Sequence, residues 1–125
     1  MRDQLRTRTR DRGQAAIEYL GFLPILLIVG LTGLQLGVAA YAAQQAGTAA
    51  RAAARAASTD EEDAPDPDAA ARAAAGWVSS VRVDPGDGEV VATVSVRIPQ
   101  VVPFWDFDDV TKTATMPMPE EEDLP

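Results

Sequence analysis

The amino-acid sequence predicts an α+β protein. It combines a long N-terminal membrane-spanning helix extending outward with a small domain holding a short helix and a β-hairpin or three-stranded antiparallel sheet. Three observations predict it. A run of 25 residues, Tyr19–Ala43, carries no formal charge and is almost wholly apolar. Beyond residue 76 the apolar pattern changes to a period of two, the signature of strands rather than helix. Between two such alternating runs stands Pro85-Gly86-Asp87-Gly88, the residue types of a tight chain reversal.

The elements follow in order. Residues 1–13 are polar and basic without periodicity, so they read as a flexible leader ending at Gly13. The run Tyr19–Ala43 contains only Thr32 and Gln35 as polar residues besides two tyrosine hydroxyls. At about 1.5 Å per residue it reaches roughly 37 Å, against about 30 Å of hydrocarbon. A cleaved secretory signal is the competing reading, but its apolar region is about 7–15 residues, shorter than this one. Residues 44–57 are mostly alanine, the best helix former, so residues 14–57 read as a transmembrane helix with an Ala-rich extension. Arg51 and Arg55, four apart, share one face of it. The helix should end near Ser58-Thr59, before the acidic run Asp60–Asp63 and Pro65, with residues 58–67 a solvated linker.

Residues 68–118 should form the small extracytoplasmic domain. Asp68 is the expected N-cap of a short helix over 69–75, closed by Gly76. The first strand, 77–84, sets Trp77, Ser79, Val81 and Val83 on one face; the second, 89–98, sets Val90, Ala92, Val94, Val96 and Ile98 on one face. Residues 110–116 are a third strand rich in threonine, after a loop with Phe104, Trp105 and Phe107, read as cover for the sheet. The apolar sheet face should be covered by the short helix or by the start of the long one. Residues 119–125 read as a disordered acidic tail.

Charge is distributed by segment. Five arginines against two aspartates give residues 1–13 a net +3, while residues 60–125 carry sixteen acids and four basic groups, a net −12. An acidic outer region excludes nucleic acid as its partner, because phosphate contacts need cations. The basic leader beside an apolar helix follows the positive-inside bias and sets the N-terminus in the cytoplasm. There is no cysteine and no histidine, which removes disulfides, thiolate metal sites and the commonest general base and metal ligand. The acidic clusters 60–63 and 120–123 lack the alternating ligands and glycine of a calcium loop. No catalytic constellation stands out, and no cofactor or metal is expected; the chain reads as a non-enzyme.

The string with most content is Arg12-Gly13-Gln14-Ala15-Ala16-Ile17-Glu18-Tyr19, directly followed by the apolar run. A carboxylate entering a membrane helix is costly unless paired, so Glu18 demands an account. Position alone offers one: a carboxylate favours the positive helix N-terminus and can snorkel to headgroups. Gly33 and Gly37 form a GxxxG pair suited to helix packing, Gln35 suits hydrogen bonding inside a helix bundle, and Pro24 should kink the helix.

The order of basic leader, glycine, then Glu-Tyr at the fifth and sixth following positions resembles the prepilin cleavage site of tight-adherence (Flp) pili. The string RGQAAIEYLGFLPILLIVGLTGLQLG, with Pro24 inside it, is similar to the N-terminus of TadE-like minor pilins or pseudopilins. The resemblance covers about residues 12–45. It implies cleavage between Gly13 and Gln14 by a prepilin peptidase and charge pairing of Glu18 with a Gln14 amine, with Tyr19 as an interfacial anchor. It further implies partnership with other pilins or pilus-assembly proteins through helix packing at Pro24, Gly33, Gln35 and Gly37. The implied location is the bacterial cytoplasmic membrane, single pass, with the C-terminal domain outside, or a surface pilus. The alternative is an unprocessed single-pass anchor whose outer domain binds a partner in a secretion or pilus machine.

Overall fold

Alanine dominates the second half of the first helix, and what those alanines do decides the architecture. The computed structural model describes residues 2–119. It contains α1 (Arg2–Ser58), α2 (Pro67–Ala74), β1 (Val78–Pro85), β2 (Glu89–Val96) and β3 (Val110–Pro117). The strands form one antiparallel sheet in the order β1-β2-β3. The α+β architecture with a three-stranded antiparallel sheet is the one the sequence predicts. The acidic tail lies outside the described residues from Glu120 onward.

Helix α1 is continuous over 57 residues, with Pro24 inside it. The segment expected as a flexible leader is helical from Arg2, joined without a break to the apolar run. Strong helix formers on both sides of Gly13 let helix propagate across one weak position, since extension adds a hydrogen bond per residue fixed. At its other end α1 stops where expected. Ser58 Oγ and Thr59 Oγ1 donate to the Arg55 carbonyl at 3.0 and 2.9 Å, satisfying an acceptor that has lost its intrahelical partner.

Ala42, Ala46, Ala49, Ala50, Ala53 and Ala54 are all fully buried, a stripe at helical spacing along one face of α1. Against it lie Ala92, Val94, Val96 and Ile98 from β2 and the segment after it. The sheet cover is therefore the second half of the long helix, with α2 alongside. Methyl side chains let helix and sheet approach closely, so a core forms with few large groups. Each buried valine (Val90, Val94, Val96) contributes about 1.5–3 kcal/mol. The expected boundary near residue 57 divides two stretches that share one core.

Two local expectations are corrected. Asp66, not Asp68, caps α2, its carboxylate accepting from the Ala69 amide at 3.3 Å. Pro67 explains the shift, because its fixed φ and missing N–H suit the first helical position. Asp68 instead accepts from Arg72 Nε at 2.7 Å, one turn on. That hydrogen bond and charge hold the Arg72 guanidinium above its ordinary value. Arg72 Nη1 also donates to the Val78 carbonyl at 2.9 Å, tying α2 to β1.

The second correction is in β1. A bulge between Val78 and Ser80 turns Val78, rather than Trp77, towards the core beside Val81 and Val83. Trp77 takes a left-handed backbone (φ 60°) and packs edge-on against Tyr41 of α1, ring centres 5.3 Å apart. The β1–β2 reversal behaves as its residues dictate. Gly88 holds φ +78°, and the Gly86 amide donates to the Glu89 carbonyl at 2.7 Å.

Candidate membrane segment and assembly face

From Asp11 to Gly30 every residue of α1 is exposed, and the helix carries a mean hydropathy of 2.1 over its most apolar window. Ile17, Leu20, Leu23, Leu26, Leu27 and Val29 are each more than half exposed, pointing in all directions. A helix apolar on every side and uncovered by its own chain matches a membrane solvent. Among the described residues one helix, near the N-terminus, is long and apolar enough to cross a membrane, as in a single-pass membrane protein.

The exposed apolar stretch meets the folded domain at Gln35. Its side chain is fully buried. Its Nε2 donates to the Pro99 carbonyl at 3.1 Å, while its Oε1 accepts from the Val101 and Val102 amides at 2.7 and 3.2 Å. The expectation that Gln35 bonds a neighbouring helix is thereby corrected. It is an internal clasp binding the β2–β3 loop to α1, because loop amides that lie against an apolar helix need an acceptor.

The outer part of the run Tyr19–Ala43 is also reassigned. Gln35 and Ala42 are buried, and Val38 and Ala39 half-buried, under the domain. The part of the helix left wholly uncovered therefore lies towards the N-terminus, over Asp11–Gly30. Gln14–Leu34 measures roughly 31 Å, one hydrocarbon thickness.

Gly13, Gln14, Glu18 and Tyr19 lie in sequence on one uninterrupted helix, all exposed. Ala15, Glu18, Tyr19 and Phe22 line a shallow surface groove along it. The ion pair among the described residues joins Arg72 to Asp68 and does not include Glu18. Gly33 and Gly37 have open space where a Cβ would stand, and they face away from Gln35 and the sheet. A neighbouring helix can approach there without displacing the domain.

Sequence reasoning missed the Gln35 clasp and the alanine stripe. Both left a trace. Gln44, Thr48, Arg51 and Arg55 recur every three or four residues and mark the solvent face of α1, so the alanines opposite them mark the core.

No curated protein and no solved structure matches this chain. Residues 13–55 match the family model described as TadE-like protein, a stretch running from the predicted cleavage glycine through the whole apolar run and the alanine stripe. Through that helix the chain is similar to the TadE-like family.

Proposed function

We propose that this TadE-like, Tad pilus-associated chain is a minor pilin or pseudopilin, cut between Gly13 and Gln14 by a prepilin peptidase and assembled through α1 into a thin pilus. Its role is structural rather than enzymatic, and its partners are other pilus components. The basic residues before the apolar run of α1 set its N-terminus in the cytoplasm and its sheet domain outside.

One observation carries the reading. Glu18 stands exposed at the mouth of the apolar run, directly before Tyr19, where an ionised carboxylate needs a cation. Cleavage after Gly13 creates an ammonium on Gln14, four residues away and on the same helix face. That amine, or a neighbouring subunit's, neutralises Glu18 as helices gather. Unpaired, the carboxylate favours the assembled state.

The Gly13–Gln14 bond is helical in this structure, so a peptidase must first unwind the helix to present an extended substrate. Glycine in a helix interior, about 1 kcal/mol poorer than alanine, makes that the easiest place to open. Mass spectrometry of protein extracted from the native membrane should find Gln14 at the N-terminus. A functional mature form retaining the arginines before it rejects this reading. The continuity of helix through Gly13 favours the second reading, an uncut anchor. Its mark is an intact leader plus a partner crosslinked through the sheet domain.

A further inference from the structure

The β2–β3 loop spans residues 97–109, and its middle, Val101-Val102-Pro103-Phe104-Trp105, is apolar and exposed or half-exposed throughout. Phe104 is wholly exposed, at 103%, and Trp105 is 47% exposed. Phe104 also holds a left-handed backbone, φ +69°, which is costly for a residue with a Cβ. Phe107 does act as cover, packing against the core with the Trp105 ring tilted on it at 5.0 Å. The backbone strain therefore holds a large aromatic ring away from that cover, in solvent.

Where the loop sits gives the reason. Its backbone is fastened to Gln35 by three hydrogen bonds, at the level where α1 leaves the apolar stretch. Leu31, one turn closer to the membrane on the same face, is half-buried, whereas Leu34 and Leu36 on other faces remain more than half exposed. The lower edge of the domain thus reaches below Gln35. By contrast the Pro85–Gly88 reversal lies at the opposite end of the sheet, since Pro85 pairs with Val90 and Val78 with Val96.

We propose that Val101–Trp105 is an interfacial foot, with Phe104 inserted into the outer leaflet of the bilayer that α1 crosses and Trp105 at headgroup depth. The continuity of the loop with the span through Gln35 is what assigns lipid as its occupant. Aromatic side chains are favoured at that depth, and insertion removes from water an apolar surface that the fold leaves bare. Asp106 and Asp108, both exposed, limit how deep the loop sinks, while Asp109 is held by the Ser79 hydroxyl at 2.7 Å. The foot sets the tilt of the sheet domain over the membrane and prevents α1 from sliding inward. It rests on α1 spanning a bilayer and is independent of leader cleavage.

The chain has no cysteine, so single spin labels report unambiguously. Full-length Phe104→Cys, Leu27→Cys and Asp87→Cys, each labelled and reconstituted in phosphatidylcholine vesicles, are compared by collision with oxygen and with a water-soluble nickel chelate. Leu27 reports the span and Asp87 the far reversal. The foot predicts that position 104 is oxygen-accessible and nickel-protected, like Leu27 and unlike Asp87. A nickel-accessible label at 104 beside a protected label at Leu27 overturns the foot and leaves the span intact. Nickel access at both positions removes the span itself. Spin–spin broadening at 104 without oxygen access overturns the foot in favour of contact with a second copy. Substituting so exposed a side chain leaves the fold undisturbed, and Trp105 emission in Trp77→Phe, blue-shifted and quenched by brominated lipid, gives an independent readout.

Discussion

At the scale of single residues, two polar side chains in the apolar half of α1 do opposite work. Gln35 is fully satisfied inside the chain; Glu18 is exposed and takes part in no ion pair among the described residues. Gln35→Leu keeps the volume but strands the Val101 and Val102 amides and the Pro99 carbonyl. It should destabilise the outer domain by about 2–3 kcal/mol, read by chemical unfolding in detergent micelles, because buried unpaired groups carry their whole desolvation penalty. Glu18→Ala should leave membrane insertion and the unfolding midpoint unchanged while filament yield falls. A matched loss of membrane-bound protein would instead assign Glu18 to insertion. The capping correction has its own test. Asp66→Ala should cost α2 about 1 kcal/mol, and Asp68→Ala less, since its partner Arg72 is exposed.

At the scale of elements, α1 is two helices in one. Its first half has no preferred face and matches lipid; its second half has a strict inner stripe of alanine. Enlarging that stripe separates helix from sheet. Ala46→Leu should destabilise by about 1–3 kcal/mol through overpacking, whereas Ala40→Leu, on the exposed face, should fall within about 0.5 kcal/mol of the parent. Among the described residues this helix supplies most of the sheet's apolar cover. A fragment beginning at residue 58 should therefore lack the dispersed amide spectrum of a folded sheet, and one beginning at Gly33 should recover it. The outer sheet face needs no cover, being lined by hydroxyls such as Ser95 and Thr111, 2.9 Å apart.

At the scale of the whole molecule, the surfaces of α1 are divided among three neighbours. One face of residues 35–54 holds the domain, the full circumference of 11–30 is left uncovered by the chain, and Gly33 and Gly37 lie open on the side opposite the sheet. Gly33→Leu with Gly37→Leu should preserve the monomer's circular dichroism and unfolding midpoint, because a side chain there meets nothing in the chain. The same change should weaken helix–helix association in a bilayer, measured by energy transfer between labelled copies. Loss of the monomer fold instead would show that this face is already occupied from within.

The sequence by itself determined the elements and their kind. The length of the apolar run, the period of two in the strands, the residues of the Pro85–Gly88 reversal and the helix stop near Ser58 are all local physics, legible because each depends on neighbours a few positions away. The string from Gly13 to Tyr19 was equally legible, as a charge placed where local sequence says it does not belong. Tertiary structure alone decided which half of α1 faces lipid, that Gln35 bonds a loop more than sixty residues away, and that Val78 rather than Trp77 enters the core. Those outcomes depend on partners distant in the chain. In a stretch where nearly every residue is alanine, composition is uniform, and only packing distinguishes inside from outside.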